Sequence, residues 1–120
     1  MSDTSDWNPV QVEKKLLEIV NRLAKGVLIC DTAYKAFLRA DHDYDLAYAR
    51  AWMGADGAIA GKRYAAEIAT EHERNARDAA DAAYRLVRDQ REALNAELEA
   101  YRSVGASVRQ AYAVAGVGER

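Results

Sequence analysis

"CDTAYKAFLRADHDYDLAYARA", Cys30 to Ala51, is the stretch on which the fold turns. Ala33, Phe37, Ala40, Tyr44, Ala47 and Ala51 recur at alternating steps of four and three, with Cys30, Tyr34 and Tyr48 alongside. An α-helix turns once in about 3.6 residues, so this alternation lays them along one stripe, the pattern of a coiled-coil seam. Small residues at every second position let a partner helix come close while the rings reach across it. The same stretch sets Asp41, Asp43 and Asp45 between His42 and Tyr44, as a calcium loop begins. A calcium loop also needs glycine at its sixth position and glutamate at its twelfth, where Leu46 and Trp52 stand. The acids read as a solvated helix face and the stretch as packing.

Working back from Cys30, "SDWNPVQVEKKLLEIVNRLAKG" announces a helix start. Asn8 can act as N-cap, Pro9 suits the first helical position because its missing N–H costs nothing there, and Trp7 can fold back near Val12 or Glu13. Val12, Leu16, Ile19, Val20 and Leu23 form an apolar stripe. Gly26 can end that helix, yet no proline or polar turn follows it. The expectation is one arm over 9–52, either bent and continuous or broken near Gly26.

Working forward, "MGADGAIAGKR" gathers three glycines and an Asp-Gly pair, which predicts a loop over 53–61. From Lys62 to Tyr101 no breaker occurs, and Tyr64, Ile68, Ala76, Ala79, Ala80, Ala83, Tyr84, Val87, Leu94 and Leu98 keep a three-four spacing. That second arm, 62–101, would span roughly 60 Å as a helix. Opposite charges four apart, Glu73 with Arg77, Asp81 with Arg85 and Arg88 with Glu92, help it stand in water by tenths of a kcal/mol each. "YRSVGASVRQAYAVAGVGER" then reads as an amphipathic segment over 102–115, with Gly105 costing helix stability by about 1 kcal/mol relative to alanine. A loop short beside its arms makes antiparallel pairing the default. The fold class is therefore all-α: a single domain built as a long antiparallel helical hairpin or slim three-helix bundle with coiled-coil-like packing.

Composition sets the remaining bounds. Half of the 120 residues are apolar in the wide sense, but many are alanine, whereas a buried Leu, Ile, Val or Phe contributes roughly 1.5–3 kcal/mol. The core of one copy is thin, which favours a homo-oligomer, a dimer first. A net charge of −2, with signs mixed along the chain, argues against a strongly basic nucleic-acid surface and equally against an acidic DNA mimic, and leaves room for a local patch. One cysteine, Cys30, builds neither an intramolecular disulfide nor a cysteine-based zinc site, and beside the aromatic seam it reads as a buried, inert thiol. The polar, acidic opening and the lack of an apolar run near 20 residues predict a soluble, cytoplasmic protein with no membrane contact.

Catalytic patterns fail in turn. A di-iron bundle needs Glu-x-x-His on two helices, but Arg39 and Ala69 stand three before His42 and His72. The two histidines lie on different arms and could meet across a hairpin. "SVGAS" around Ser103 and Ser107 lacks the Gly-x-Ser-x-Gly elbow, and "GADGAIAGK" lacks phosphate-loop spacing. The reading is a non-enzyme with no cofactor and no metal.

Two surfaces remain as binding candidates. One is the aromatic face of Tyr34, Phe37, Tyr44 and Tyr48; the other is the tail around Tyr101, Val104, Val108 and Tyr112, suited to a helix-in-groove contact. Deletion after Glu99 separates a tail that packs inside the fold from one that binds outside it. The alternative is weak single-stranded DNA contact through Arg74, Arg77, Arg85 and Arg88, a stripe that Asp78, Asp81 and Asp89 interrupt.

The phrases "DWNPVQVEKKLLEIVNRLAKG", "ADHDYDLAYARAWMG" and "LEAYRSVGASVRQAYAVAG" resemble small helical proteins encoded by tailed phages of mycobacteria and related bacteria. The resemblance spans nearly the whole chain and rests on general pattern. It implies an accessory protein working in the host cytoplasm on a host or phage protein, or beside phage recombination and replication, and it supplies no site residue.

Overall fold

A computed structural model describes residues 7–118. Among them every regular element is helical: α1 is Pro9–Gly54, α2 is Ile59–Ala69 and α3 is Glu71–Gly118. No helix among the described residues is long and apolar enough to cross a membrane.

The start of α1 is set by side chains. Asn8 Oδ1 accepts the Gln11 N–H at 2.9 Å while Gln11 Oε1 accepts the Asn8 N–H at 3.0 Å, a reciprocal capping box with Pro9 at the first helical position. The helix then passes through Gly26 without a break. A single glycine costs only about 1 kcal/mol against 46 residues of continuous helix and the packing that accompanies them. A Cβ added at Gly26 would meet nothing within 4 Å. Gly26→Ala is therefore expected to raise stability by about 1 kcal/mol, read as a higher urea midpoint with an unchanged m-value.

The expected loop over 53–61 shrinks to residues 55–58, because Gly54 closes α1 and Gly61 lies inside α2. Of the three glycines only Gly57 does turn chemistry, at φ +98°, a region in which side chains are strained. The second arm is interrupted at Thr70, which the sequence pattern did not announce. Thr70 is buried, and its hydroxyl donates to the Ala66 carbonyl at 2.7 Å, an oxygen that also accepts the Thr70 N–H at 3.1 Å. Threonine bonding back to residue i−4 draws that carbonyl out of line and bends a helix. Beyond it α3 continues past Tyr101 and Gly105 to Gly118, so no boundary separates the expected tail from its arm.

The chain divides into two compact units. One joins the chain up to Val27 with the chain from Asp89 onward; the other is Leu28–Arg88. In the first, Val12, Ile19 and Val108 are fully buried, and Gly105 sits so close to Val12 that a Cβ there would stand 3.0 Å from Val12 Cγ1. The Trp7 ring meets Tyr101 edge-on at 5.4 Å.

In the second unit the helices run antiparallel, as successive cross-contacts show. Tyr34 meets Tyr84 at 5.1 Å, Tyr44 lies 4.5 Å under the Arg77 guanidinium, and Trp52 lies 4.9 Å under the Lys62 ammonium. The seam expected from Cys30 to Ala51 is present: Cys30 is buried and Ala33, Phe37, Ala40, Tyr44, Ala47 and Ala51 are half-buried. The facing row differs from the expected one. Heptad steps back from Tyr84 fall on Ala80, Arg77, Glu73, Thr70 and Ala66, all buried or half-buried, whereas Tyr64, Ile68, Ala76, Ala79 and Ala83 are exposed. Helix phase, set by the longer run of seam residues, prevailed over local hydrophobicity.

Candidate functional site

The aromatic face is largely spent on the hairpin itself. Phe37, Tyr44 and Tyr48 are half-buried, the Tyr44 and Tyr48 rings stand 6.1 Å apart, and Tyr34, though exposed along one side, leans on Tyr84. These rings interlock the seam of their unit rather than forming an open patch. The tail divides by helix phase. Val108 is 2% exposed and belongs to the core, so its side chain is not on the surface where a docking role would need it. Tyr101 and Val104 are half-buried, while Tyr112 is 54% exposed.

The four arginines do not form one stripe. Arg77 lies in the seam over Tyr44 and bonds Asp78 at 3.0 Å instead of pairing with Glu73. From above the ring the guanidinium reaches the neighbouring Asp78, and Glu73 Oε2 is left buried without a hydrogen-bond partner. Arg77 is held more firmly protonated than usual, first by the hydrogen bond to Asp78, with burial opposing and the charges of Asp78, Tyr44 and Asp41 adding to it. Arg85 is bound to Asp81 at 3.1 Å, as its spacing predicts, and Arg88 lies 6.0 Å from the Tyr84 ring. Arg74 is exposed.

Asp43, Asp45, His42 and His72 are exposed and Asp41 is half-buried. Among the described residues no three His, Cys, Asp or Glu side chains gather as a metal ion would require.

An open apolar line at helical spacing lies elsewhere on α1. In the first unit Val10, Leu17, Val20 and Val27 are 73%, 64%, 46% and 53% exposed. With Glu13 and Ala24 they recur at steps of three and four. On a helical wheel this line lies about 110° round from the buried line of Val12, Leu16, Ile19 and Leu23. Beside it Glu13, Leu16, Leu17 and Val20 edge a groove of about 350 Å³. In the second unit Leu28, Ile29, Thr32, Ala33 and Ala36 edge another of about 410 Å³. In the first groove the four residues stand at i, i+3, i+4 and i+7, the diamond into which a knob from a facing helix fits. Sequence spacing alone sets Val20 in the same stripe as Val12 and Ile19; its exposure places it in a second one.

No family model, curated protein or solved structure matches the chain. The likeness to small phage proteins therefore rests on the quoted phrases alone.

Proposed function

We propose that this chain is a small, non-catalytic accessory protein, of the phage type its phrases resemble, that acts by protein–protein interaction as an adaptor or modulator. The observation that carries the reading is the second apolar stripe of α1. Four large aliphatic side chains at helical spacing stay exposed in a unit whose own core uses a different line of the same helix. Branched aliphatics aligned this way cost solubility, and a contiguous apolar line on a helix marks a surface for another helix. The docking residues so assigned, Val10, Leu17, Val20 and Val27, replace the aromatic face as first choice; exposed Tyr112 is an accessory contact.

Capture by the tagged full chain, compared with Leu17→Glu, tests this. Leu17 is exposed, so the variant is expected to keep its helical circular-dichroism signal and to lose at least 90% of a bound partner, given that an unpaired charge buried at a contact costs about 3–5 kcal/mol. Equal capture by both chains would refute the assignment. The alternative, weak single-stranded DNA contact, has less support, because Arg77 is committed to Tyr44 and Asp78 and Arg85 to Asp81.

A further inference from the structure

We propose that the unit Leu28–Arg88 opens as a separate, weaker step ahead of the rest of the chain, with Glu73 as its built-in weak place, and that opening uncovers the aromatic face which the closed seam spends. The two units are packed with different material. Val12, Ile19 and Val108 fill the first, whereas the buried residues described in the second are Cys30, Ala66 and Thr70. On α1 the second seam alternates half-buried alanines, Ala33, Ala40, Ala47 and Ala51, with rings that keep part of their surface in water. The apolar contribution follows the area buried, so alanine and threonine hold this seam less firmly than branched aliphatics hold the other.

Polar chemistry lowers the barrier to opening further. Glu73 stands in the seam with Oε2 buried and without a hydrogen-bond partner. Arg77, one turn on, donates from Nε and Nη2 to Asp78 Oδ1 at 3.2 and 3.0 Å and lies over Tyr44, so it leaves that oxygen unserved. A carboxylate oxygen shut away from water with no donor forfeits its hydration, and water restores it once the helices part. The Thr70 hydroxyl gives its hydrogen to the Ala66 carbonyl four residues back, inside its own arm. Opening therefore loses little apolar burial here and regains a solvated Glu73. Once parted, single helices of this length are marginal in water, so their amides exchange. The rings uncovered are Phe37, Tyr44, Tyr48 and Tyr84, which the closed unit interlocks; the exposed α1 line of Val10, Leu17, Val20 and Val27 takes no part.

Amide hydrogen exchange of the full chain, read residue by residue and corrected for intrinsic rates, is the test. Amides of 33–47 and 77–84 are expected to exchange at least about tenfold faster than those of 16–23 and 94–101, which also lie inside the long helices. Glu73→Leu removes the orphan oxygen and should slow exchange in the second unit on the order of tenfold, leaving the first unchanged. Glu71→Leu is the control: it deletes the other acid of the first turn of α3 at an exposed position, so it matches the loss of charge and should slow nothing. The thiol of Cys30, buried in the same seam, should react with a thiol reagent through the same opening and slow by the same factor in Glu73→Leu. Protection equal in both units, or higher in the second, would overturn the separate opening. Exchange that Glu73→Leu leaves unchanged or speeds, or equal slowing by Glu71→Leu, would overturn the role of Glu73, and thiol labelling indifferent to Glu73→Leu would overturn the uncovering of the seam.

Discussion

A chain ended after Glu99 is expected to lose the fold of the unit that joins the start of α1 to the end of α3. The cut removes Val108, which is fully buried, Gly105, which lets Val12 approach, and Tyr101, against which Trp7 packs. It also leaves Val12 and the Trp7 ring without the residues they pack on. The lost burial of Val108, Val12 and Trp7 forfeits roughly 1.5–3 kcal/mol each, about 5 kcal/mol or more together, comparable to the whole stability of a small domain. Amide hydrogen exchange is the appropriate readout, because stability is local: amides between Val12 and Leu23 should exchange far faster than in the intact chain. Retained protection there would show that the tail lies outside the core. Tyr112→Asp supplies the contrast, since that ring is exposed and its loss should leave the same amides protected.

The second large effect concerns Gly105. It sits in mid-helix, where alanine would ordinarily be better by about 1 kcal/mol, but a Cβ there would stand 3.0 Å from Val12 Cγ1. Val12 is itself buried and has nowhere to retreat. Gly105→Leu is accordingly expected to destabilise by about 3 kcal/mol through overpacking. Val12→Ala alone should cost about 2 kcal/mol by emptying the same space. Combined, the two should cost less than their sum by about 1–2 kcal/mol, because the leucine occupies the volume that Val12 vacates. Chemical denaturation of the four chains measures that coupling, and strict additivity would mean that the two residues do not touch.

Much of this architecture was legible in the residues. Asn8 and Pro9 marked the helix start, and the alternation of small and aromatic residues from Cys30 to Ala51 marked the seam, because both depend on short-range geometry. Gln11 completes the cap from three residues on, the position at which a capping box carries Glu or Gln. Three other features depend on distant partners. Gly26 and Gly105 looked like breakers, but a long helix anchored by packing absorbs one glycine, and Gly105 has a positive reason to be there. Thr70 looked like an ordinary helical residue, although its hydroxyl competes for the Ala66 carbonyl.

The facing row shows the limit of hydrophobicity as a guide. Tyr64 and Ile68 are the large apolar residues of that stretch, yet Ala66 and Thr70, two positions away from each, are buried. Arg77 and Glu73 enter the same row, Arg77 because its guanidinium can lie on the Tyr44 ring. The binding surface was the least legible part. Val20 and Ile19 are adjacent in sequence and both apolar, and only burial separates the line that holds the unit together from the line left open for a partner.

The direct test of that second line is a photo-reactive amino acid placed at Leu17 of the full chain, with the same group at exposed Ser103 of α3 as control, irradiated in cells. A single discrete adduct from position 17, to another copy or to one other protein, with none from position 103, is the expected result. No adduct at 17, or equal labelling from both positions, would contradict a docking role for α1.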